Sequence, residues 1–172
     1  MSDWVMSDEL SITQQPNESL YKINFDGAIF EDQACAGLDV VIRDSAGLII
    51  GALSQKIKLP SSLVMVEVLA ASQAISFVRE ISILRVVVEG NSLQVIKAIN
   101  NTKSSKTSYG HIIDEIKLLS SSLPCCSFVH VRHEGNKLAH VLVRRAILFA
   151  DIDVWLEDLP RDLDDVFQFD LL

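Results

Sequence analysis

The stretch Lys22-Ile-Asn-Phe-Asp-Gly-Ala28 alternates apolar and polar side chains and ends by presenting a carboxylate before a glycine. In an extended segment, Tyr21, Ile23 and Phe25 fall on one face, while the polar side chains fall on the other. The stretch therefore predicts a strand with one apolar face. Its polar face leads to Asp26, and the rest of the chain is organised around this carboxylate.

Three later segments, each with a polar side chain that could reach Asp26, are expected to converge on it. They are residues 64–71 with Glu67, residues 86–92 with Asn91, and residues 134–140 with His140. A strand aspartate followed by a helix glutamate, a strand-end acid or amide and a polar residue on a late helix resembles the ribonuclease H fold. The order and spacing are most similar to its plant, retroelement-related, reverse-transcriptase-associated branch. The resemblance covers roughly residues 21–150.

The resemblance implies a metal-dependent nuclease site. In that family, four carboxylates hold two divalent cations about 4 Å apart, one activating water and the other stabilising the leaving oxygen. Asp26 and Glu67 match two of these carboxylates, but Asn91 and His140 stand where the other two would be. Asn91 offers a neutral carbonyl oxygen, and His140 offers a nitrogen that Mg²⁺ accepts poorly and Mn²⁺ tolerates better. We therefore expect Mg²⁺ or Mn²⁺ to bind weakly, if at all, with Asp26, Glu67 and Asn91 as its ligands.

Each of these residues also has an ordinary structural interpretation. Asp26 before a glycine is typical of a turn, and Asn91 can cap a helix that starts at Ser92. Glu67 lies among apolar residues, so its carboxyl group requires a cleft or a hydrogen-bonded partner. His140 can be a solvated surface residue. For the product-release histidine found in active relatives, His130 and His133 are the alternatives, and both are equally compatible with an ordinary strand.

Length and composition indicate a single folded domain. The chain has 172 residues, of which 49% are hydrophobic, and no apolar run reaches membrane-spanning length. The N-terminus lacks the pattern of a secretory signal, so we expect an intracellular protein of the cytosol or nucleus. Cys35, Cys125 and Cys126 lack zinc-ligand spacing and predict reduced thiols.

The charge is distributed unevenly along the chain. The net charge is −8, and residues 151–172 hold eight acids and one base, which leaves the preceding 150 residues near neutral. We expect a flexible leader over residues 1–19, a ribonuclease H-like domain over 20–150 and an acidic, aromatic-containing tail over 151–172. The tail interleaves apolar and acidic residues and could dock on a protein partner or across the cleft of its own domain.

Hydrophobic periodicity predicts the order β-β-β-α-β-α-α-β-α. Alternation predicts three strands up to Ile57, and three- and four-residue steps predict a helix from Ser62 to about Arg79. Further strands and helices follow, the last helix running from Lys137 to about Phe149. The fold class is α/β, a mixed five-stranded sheet with three antiparallel strands and then parallel additions, covered by helices on both faces.

Two groups of basic residues are expected to flank the cleft. They are Lys97, Lys103 and Lys106 after the strand-end asparagine, and Arg144 and Arg145 on the last helix. Such groups suit the phosphates of an RNA–DNA hybrid or another nucleic acid, although scattered bases are also typical of any solvated surface. The favoured function is a nucleic-acid-binding domain with weak or absent cleavage. The alternative is a protein-interaction module built on the same scaffold.

Overall fold

The computed structural model describes residues 19–132 and 152–156. Six strands form one sheet: β1 (Tyr21–Phe30), β2 (Cys35–Arg43), β3 (Ile49–Lys58), β4 (Arg85–Gly90), β5 (Cys125–His130) and β6 (Ile152–Leu156). Three helices accompany them in this part of the chain: α1 (Leu63–Glu80), α2 (Leu93–Asn100) and α3 (Gly110–Ser121). The predicted leader and the predicted helix from Lys137 to Phe149 lie outside the described residues.

The sheet is mixed, as the sequence predicts. Its order is β5-β4-β1-β2-β3-β6, so the first strand lies in the middle. β1, β2, β3 and β6 pair antiparallel in succession, whereas β4 and β5 add parallel strands on the other side of β1. The predicted α/β class is therefore confirmed. The central position of β1 explains why Asp26 has neighbours from several elements.

The sheet has one strand more than the five predicted. The sixth strand, Ile152–Leu156, lies in the segment predicted to be part of the acidic tail, and it pairs with β3 from Gln55 to Gly51. The segment does alternate, but its apolar members are the exposed ones and the half-buried positions belong to Asp153 and Trp155. The strand was therefore not predicted, because its apolar residues alternate within a segment rich in acidic residues.

One face of the sheet packs against the helices. The core joins Ile23 and Phe25 of β1 to in-register residues of the other strands and to buried side chains of α1, α2 and α3. Phe25 lies directly against Gly90, where an added Cβ would overlap the aromatic ring. The missing side chain at Gly90 thus lets the end of β4 lie close to the middle of β1.

The helix cap and the turn glycine predicted from the sequence are present in the structure. Ser62 caps α1 by accepting a hydrogen bond from Met65 N at 3.2 Å. Gly47, in the turn between β2 and β3, has a positive φ of 84°, which glycine adopts without strain. Cys35, Cys125 and Cys126 are free thiols, as predicted.

Candidate functional site

Asp26 and Glu67 come together beside the central strand. Asp26 is 2% exposed on β1, and Glu67, in the second turn of α1, is 6% exposed. Helix α1 lies close over this part of β1, because a Cβ added at Gly27 would be only 2.6 Å from Val66 Cγ1. The Gly27 backbone amide donates to Asp26 Oδ1 at 3.0 Å, which fixes the orientation of that carboxyl group.

The electrostatics of Glu67 show that this pair is coupled. Burial, and then the nearby charge of Asp26, raise the pKa of Glu67 from its ordinary value of 4.5 to about 8. Within the part of the chain that the structure describes, Glu67 Oε2 is buried without a hydrogen-bond partner. At neutral pH and without a cation, Glu67 is therefore mostly protonated, because burial and the neighbouring Asp26 both disfavour its ionised form.

Asn91 stands at the end of the strand that neighbours β1. It directly follows Gly90, the last residue of β4, which is in register with Phe25 on β1. The paired residues end there, one residue before Asp26 on one strand and before Asn91 on the other, and Asn91 is half-buried. The proposed capping role of Asn91 is wrong, because the N-cap of α2 is Ser92, whose hydroxyl accepts a hydrogen bond from Val95 N at 3.4 Å.

Sequence reasoning missed a third buried acid. Asp39 on β2 is the cross-strand partner of Asp26 and is fully buried. Its pKa is raised well above the ordinary value, chiefly by burial and also by the charge of Asp26, while the neighbouring Ser54 hydroxyl lowers it in part. A charged residue inside the apolar run of β2 was the available signal. Its partnership with Asp26 depends on the β1–β2 register, which the sequence alone left open.

A polar network lies two residues before Asp26 on the same strand. Asn24 donates from Nδ2 to Glu89 Oε2 at 3.0 Å and accepts from Arg43 Nη1 at 3.1 Å. Glu89 Oε1 also lies 3.3 Å from Lys22 Nζ. These contacts tie β1 to both neighbouring strands and hold the backbone that carries Asp26.

The remaining predicted residues are only partly among those described. Lys97, Lys103 and Lys106 are exposed at the end of α2 and in the loop after it. Lys117 on α3 extends this basic group, since its Nζ donates to the Lys103 carbonyl at 3.1 Å. His130 is exposed at the end of β5. Four predicted site residues lie outside the described residues: His133, His140, Arg144 and Arg145.

The side chains at this site carry oxygen atoms of the kind that hard divalent cations prefer as ligands. Carboxylate and amide oxygens, such as those of Asp26, Glu67 and Asn91, are the ligands that Mg²⁺ and Mn²⁺ prefer. Glu67 Oε2 accepts no hydrogen bond from the described residues. Across residues 19–132 and 152–156, however, no three His, Cys, Asp or Glu side chains are arranged to hold a metal ion. No metal site is therefore evident among the described residues, although they carry oxygen donors of the kind that such a cation prefers.

Comparison with known proteins agrees with the fold. The family model described as reverse transcriptase-like matches residues 24–146, which is most of the chain. A search of curated proteins found no match. Within the described residues, no helix is long and apolar enough to span a membrane.

Solved structures share the architecture at low sequence identity. Ribonuclease H1 of the archaeon Halobacterium salinarum superimposes with a TM-score of 0.68 at 19% identity, over 74% of this chain and 97% of that one. LC11 ribonuclease H1, isolated from compost and solved with an RNA/DNA hybrid, gives 0.66 at 24% identity, over 74% and 96%. The foamy viral protease–reverse transcriptase, solved with double-stranded DNA, gives 0.58 at 16% identity, over 75% and 93%. The fold is therefore ribonuclease H-like, and the chain belongs to the reverse transcriptase-like family.

Proposed function

We propose that this chain is a ribonuclease H-like nucleic-acid-binding domain of the plant, retroelement-related type. Its Asp/Glu/Asn/His site is related to those of RNA–DNA hybrid endonucleases and supports weak or no metal-dependent cleavage. The observation that carries the proposal is the meeting of Asp26 and Glu67, two buried carboxyl groups close enough for the charge of one to raise the pKa of the other. Asn91, which follows the end of the neighbouring strand β4, would provide a third oxygen but no third charge.

The weak cofactor requirement follows from this donor set. A Mg²⁺ or Mn²⁺ ion would be held by Asp26, Glu67 and the Asn91 carbonyl, and it would supply charge stabilisation for phosphodiester hydrolysis. Binding must also remove the proton from Glu67, which costs free energy at neutral pH because the pKa of this group is about 8. Both the missing carboxylates and this proton reduce the affinity for the cation.

Recognition of nucleic acid is supported by the group of exposed lysines on α2 and in the loop after it. Lys97, Lys103 and Lys106 are exposed. Lys97 lies on α2, the helix that begins two residues after Asn91, and the other two lie in the loop after α2. The hybrid bound by LC11 ribonuclease H1, a protein of the same fold, supports an RNA–DNA hybrid as the ligand class. The near-neutral charge of residues 1–150 makes a local group of lysines necessary, because phosphate affinity arises from concentrated positive charge.

One observation favours the second candidate, a protein-interaction module. Strand β6 forms the edge of the described sheet, and Ile152, Val154 and Leu156 are each about half exposed on it. An edge strand with exposed apolar side chains can pair with a strand of another protein. The rest of the acidic tail, residues 157–172, would then belong to the same contact surface.

Salt-dependent binding to a labelled RNA–DNA hybrid in EDTA separates the two candidates. We expect binding that weakens steeply with salt. The slope should become shallower when Lys97, Lys103 and Lys106 are changed to Gln, by about one for each lysine that neutralises a phosphate in the native chain. Lys58→Gln, at the far end of β3, is the matched control and should leave the slope unchanged. Absence of binding at low salt would contradict nucleic-acid recognition and favour the protein-interaction module.

A further inference from the structure

The loop between α2 and α3 lies along one face of α3. Residues 101–109 form this loop, and three residues of α3 lie against it: Gly110, Asp114 and Lys117. Because these three residues follow each other at steps of four and three, they lie on the same face of the helix. One face of α3 therefore holds the loop over about two helical turns.

Two side chains of α3 hold consecutive residues of the loop. Lys117 Nζ donates to the Lys103 carbonyl oxygen at 3.1 Å, and the Ser104 hydroxyl donates to Asp114 Oδ2 at 3.1 Å. Asp114 and Lys117 are half-buried, whereas the two loop residues are exposed. Each hydrogen bond alone contributes little to stability, because water competes for exposed groups, but together the two bonds fix neighbouring residues of one loop.

The loop also approaches the first residue of α3 closely. A Cβ added at Gly110 would overlap the carbonyl oxygen of Ser105, so a side chain at this position would push the loop away from the helix. Within the loop, the hydroxyl oxygens of Ser105 and Thr107 lie 2.7 Å apart, and Gly110 N donates to the Thr107 carbonyl at 3.0 Å. Lys106 therefore lies between two residues that are held in place.

A loop that is already held loses less conformational freedom when it binds a ligand. Lys103 and Lys106 are exposed, and their backbone is fixed before any phosphate is bound. Ordering a free loop would reduce the affinity, so a fixed backbone favours binding. Asp114 does not fit an explanation by charge, because a carboxylate near these lysines repels a polyanion. Its hydrogen bond to Ser104 does explain its presence there.

We propose that Asp114 and Lys117 are positioning residues for nucleic-acid binding. They hold the loop in the shape in which Lys103 and Lys106 bind the phosphates of a nucleic-acid backbone. The inference rests on the proposed function, since it concerns how the same lysines bind. Phosphates are contacted without regard to base sequence, so the loop contributes affinity and register and no sequence specificity.

The test is the affinity of the full chain for a labelled RNA–DNA hybrid in EDTA at low salt. Charge alone predicts that Asp114→Ala binds the hybrid more tightly, because the change removes a negative charge. Positioning predicts the opposite. We expect Asp114→Ala to bind roughly three- to tenfold more weakly, the range expected when a few more groups must be ordered on binding. Asp114→Asn keeps an oxygen that can accept from Ser104, and it should bind at least as tightly as the native chain.

Two controls isolate the positioning effect. Asp32→Ala removes the same charge from an exposed residue of the turn between β1 and β2, and it should not weaken binding. The second control places Asp114→Ala in a chain whose Lys103 and Lys106 are already changed to Gln. There the change should no longer weaken binding, because the groups that Asp114 positions are absent.

Trypsin provides a readout that needs no nucleic acid. It cleaves after lysine, and the loop offers Lys103 and Lys106. We expect Asp114→Ala to be cut in this loop several-fold faster than the native chain, at an unchanged urea midpoint, because loss of the contact to α3 releases the loop. Gly110→Ala leaves the charge unchanged, and it should likewise speed cleavage and weaken hybrid binding.

The outcomes separate this inference from the proposed function. If the native chain binds the hybrid and Asp114→Ala binds it equally or more tightly, the inference is overturned and the proposed function stands. Unchanged trypsin cleavage of Asp114→Ala would overturn the inference as well. If the native chain does not bind the hybrid at low salt, the proposed function and the inference both fail.

Discussion

Replacing Glu67 by glutamine should remove a pH-dependent loss of stability. The folded chain holds Glu67 with a pKa of about 8, against an ordinary value of 4.5 in the unfolded chain. Below pH 4.5 both states carry the proton, and the contribution of this group to stability is fully present. As the pH rises from 4.5 to 8, the unfolded state loses its proton first, so stability falls until the folded state also ionises.

The magnitude follows from the difference between the two pKa values. Each pKa unit corresponds to roughly 1–1.5 kcal/mol, so the full loss across this window is about 5 kcal/mol. Glu67 is 6% exposed, and solvent therefore screens it little. Because small domains are stable by only about 5–15 kcal/mol, the effect is large enough to measure. A glutamine side chain has nearly the same shape as a glutamate side chain and carries no titrating proton.

The assay is urea unfolding of the native chain and of Glu67→Gln in EDTA between pH 5 and pH 8. Comparing the two proteins cancels the titration of other groups. We expect the free energy of unfolding of Glu67→Gln to exceed that of the native chain by an amount that grows by roughly 1–1.5 kcal/mol per pH unit. Glu115→Gln, an exposed glutamate on α3, should follow the native curve. Parallel curves for Glu67→Gln and the native chain would refute a buried, coupled carboxyl group.

Three further predictions concern packing, capping and the tail. Gly90→Ala should lower the free energy of unfolding by about 1–3 kcal/mol, because its Cβ overlaps a buried ring, whereas Gly51→Ala, with its nearest contact at 3.5 Å, should cost much less; equal urea midpoints would contradict this. Ser92→Ala should cost about 1 kcal/mol by the same measurement, since it removes the N-cap of α2, and an unchanged midpoint would exclude that cap. Truncation after Leu156 keeps β6 and removes six acids against one base, so hybrid affinity should rise; unchanged affinity would exclude competition by the tail.

Most of the described fold could be predicted because each element carries a clear local period. The alternation around Phe25 and the helical spacing around Glu67 lie within one or two residues of the observed bounds of β1 and α1. Strand β6 was missed because its segment is short and adjoins a run of acids. Its apolar residues are also exposed, which reverses the usual relation between alternation and burial.

Only those features of the site that depend on the order of the strands and helices could be predicted from the sequence. The neighbourhood of Asp26 and Glu67 follows from the order of the elements. The pairing of Asp39 with Asp26 does not, because it depends on the strand register set by the turn at Glu31–Gln33. A shift of one residue would move Asp39 to the other face of the sheet. Asn91 was assigned a capping role because Asn and Ser both cap well and stand side by side at that helix start.

The most direct test of the central claim is cleavage of an RNA–DNA hybrid in Mg²⁺ and in Mn²⁺. The central claim is that the scaffold of a hybrid nuclease is intact and that its metal ligands are incomplete. The assay compares the native chain with Asn91→Asp, His140→Asp and the double variant. Glu67→Gln in the double variant is the control, because it should abolish any activity that the pair supports.

We predict little or no cleavage by the native chain, more in Mn²⁺ than in Mg²⁺, and a clear gain in the double variant. The two added carboxylates increase the charge that draws cations to Asp26 and Glu67. Efficient Mg²⁺-dependent cleavage by the native chain would contradict the claim of an incomplete site. A double variant that binds hybrid but gains no cleavage would contradict the claim of an intact scaffold.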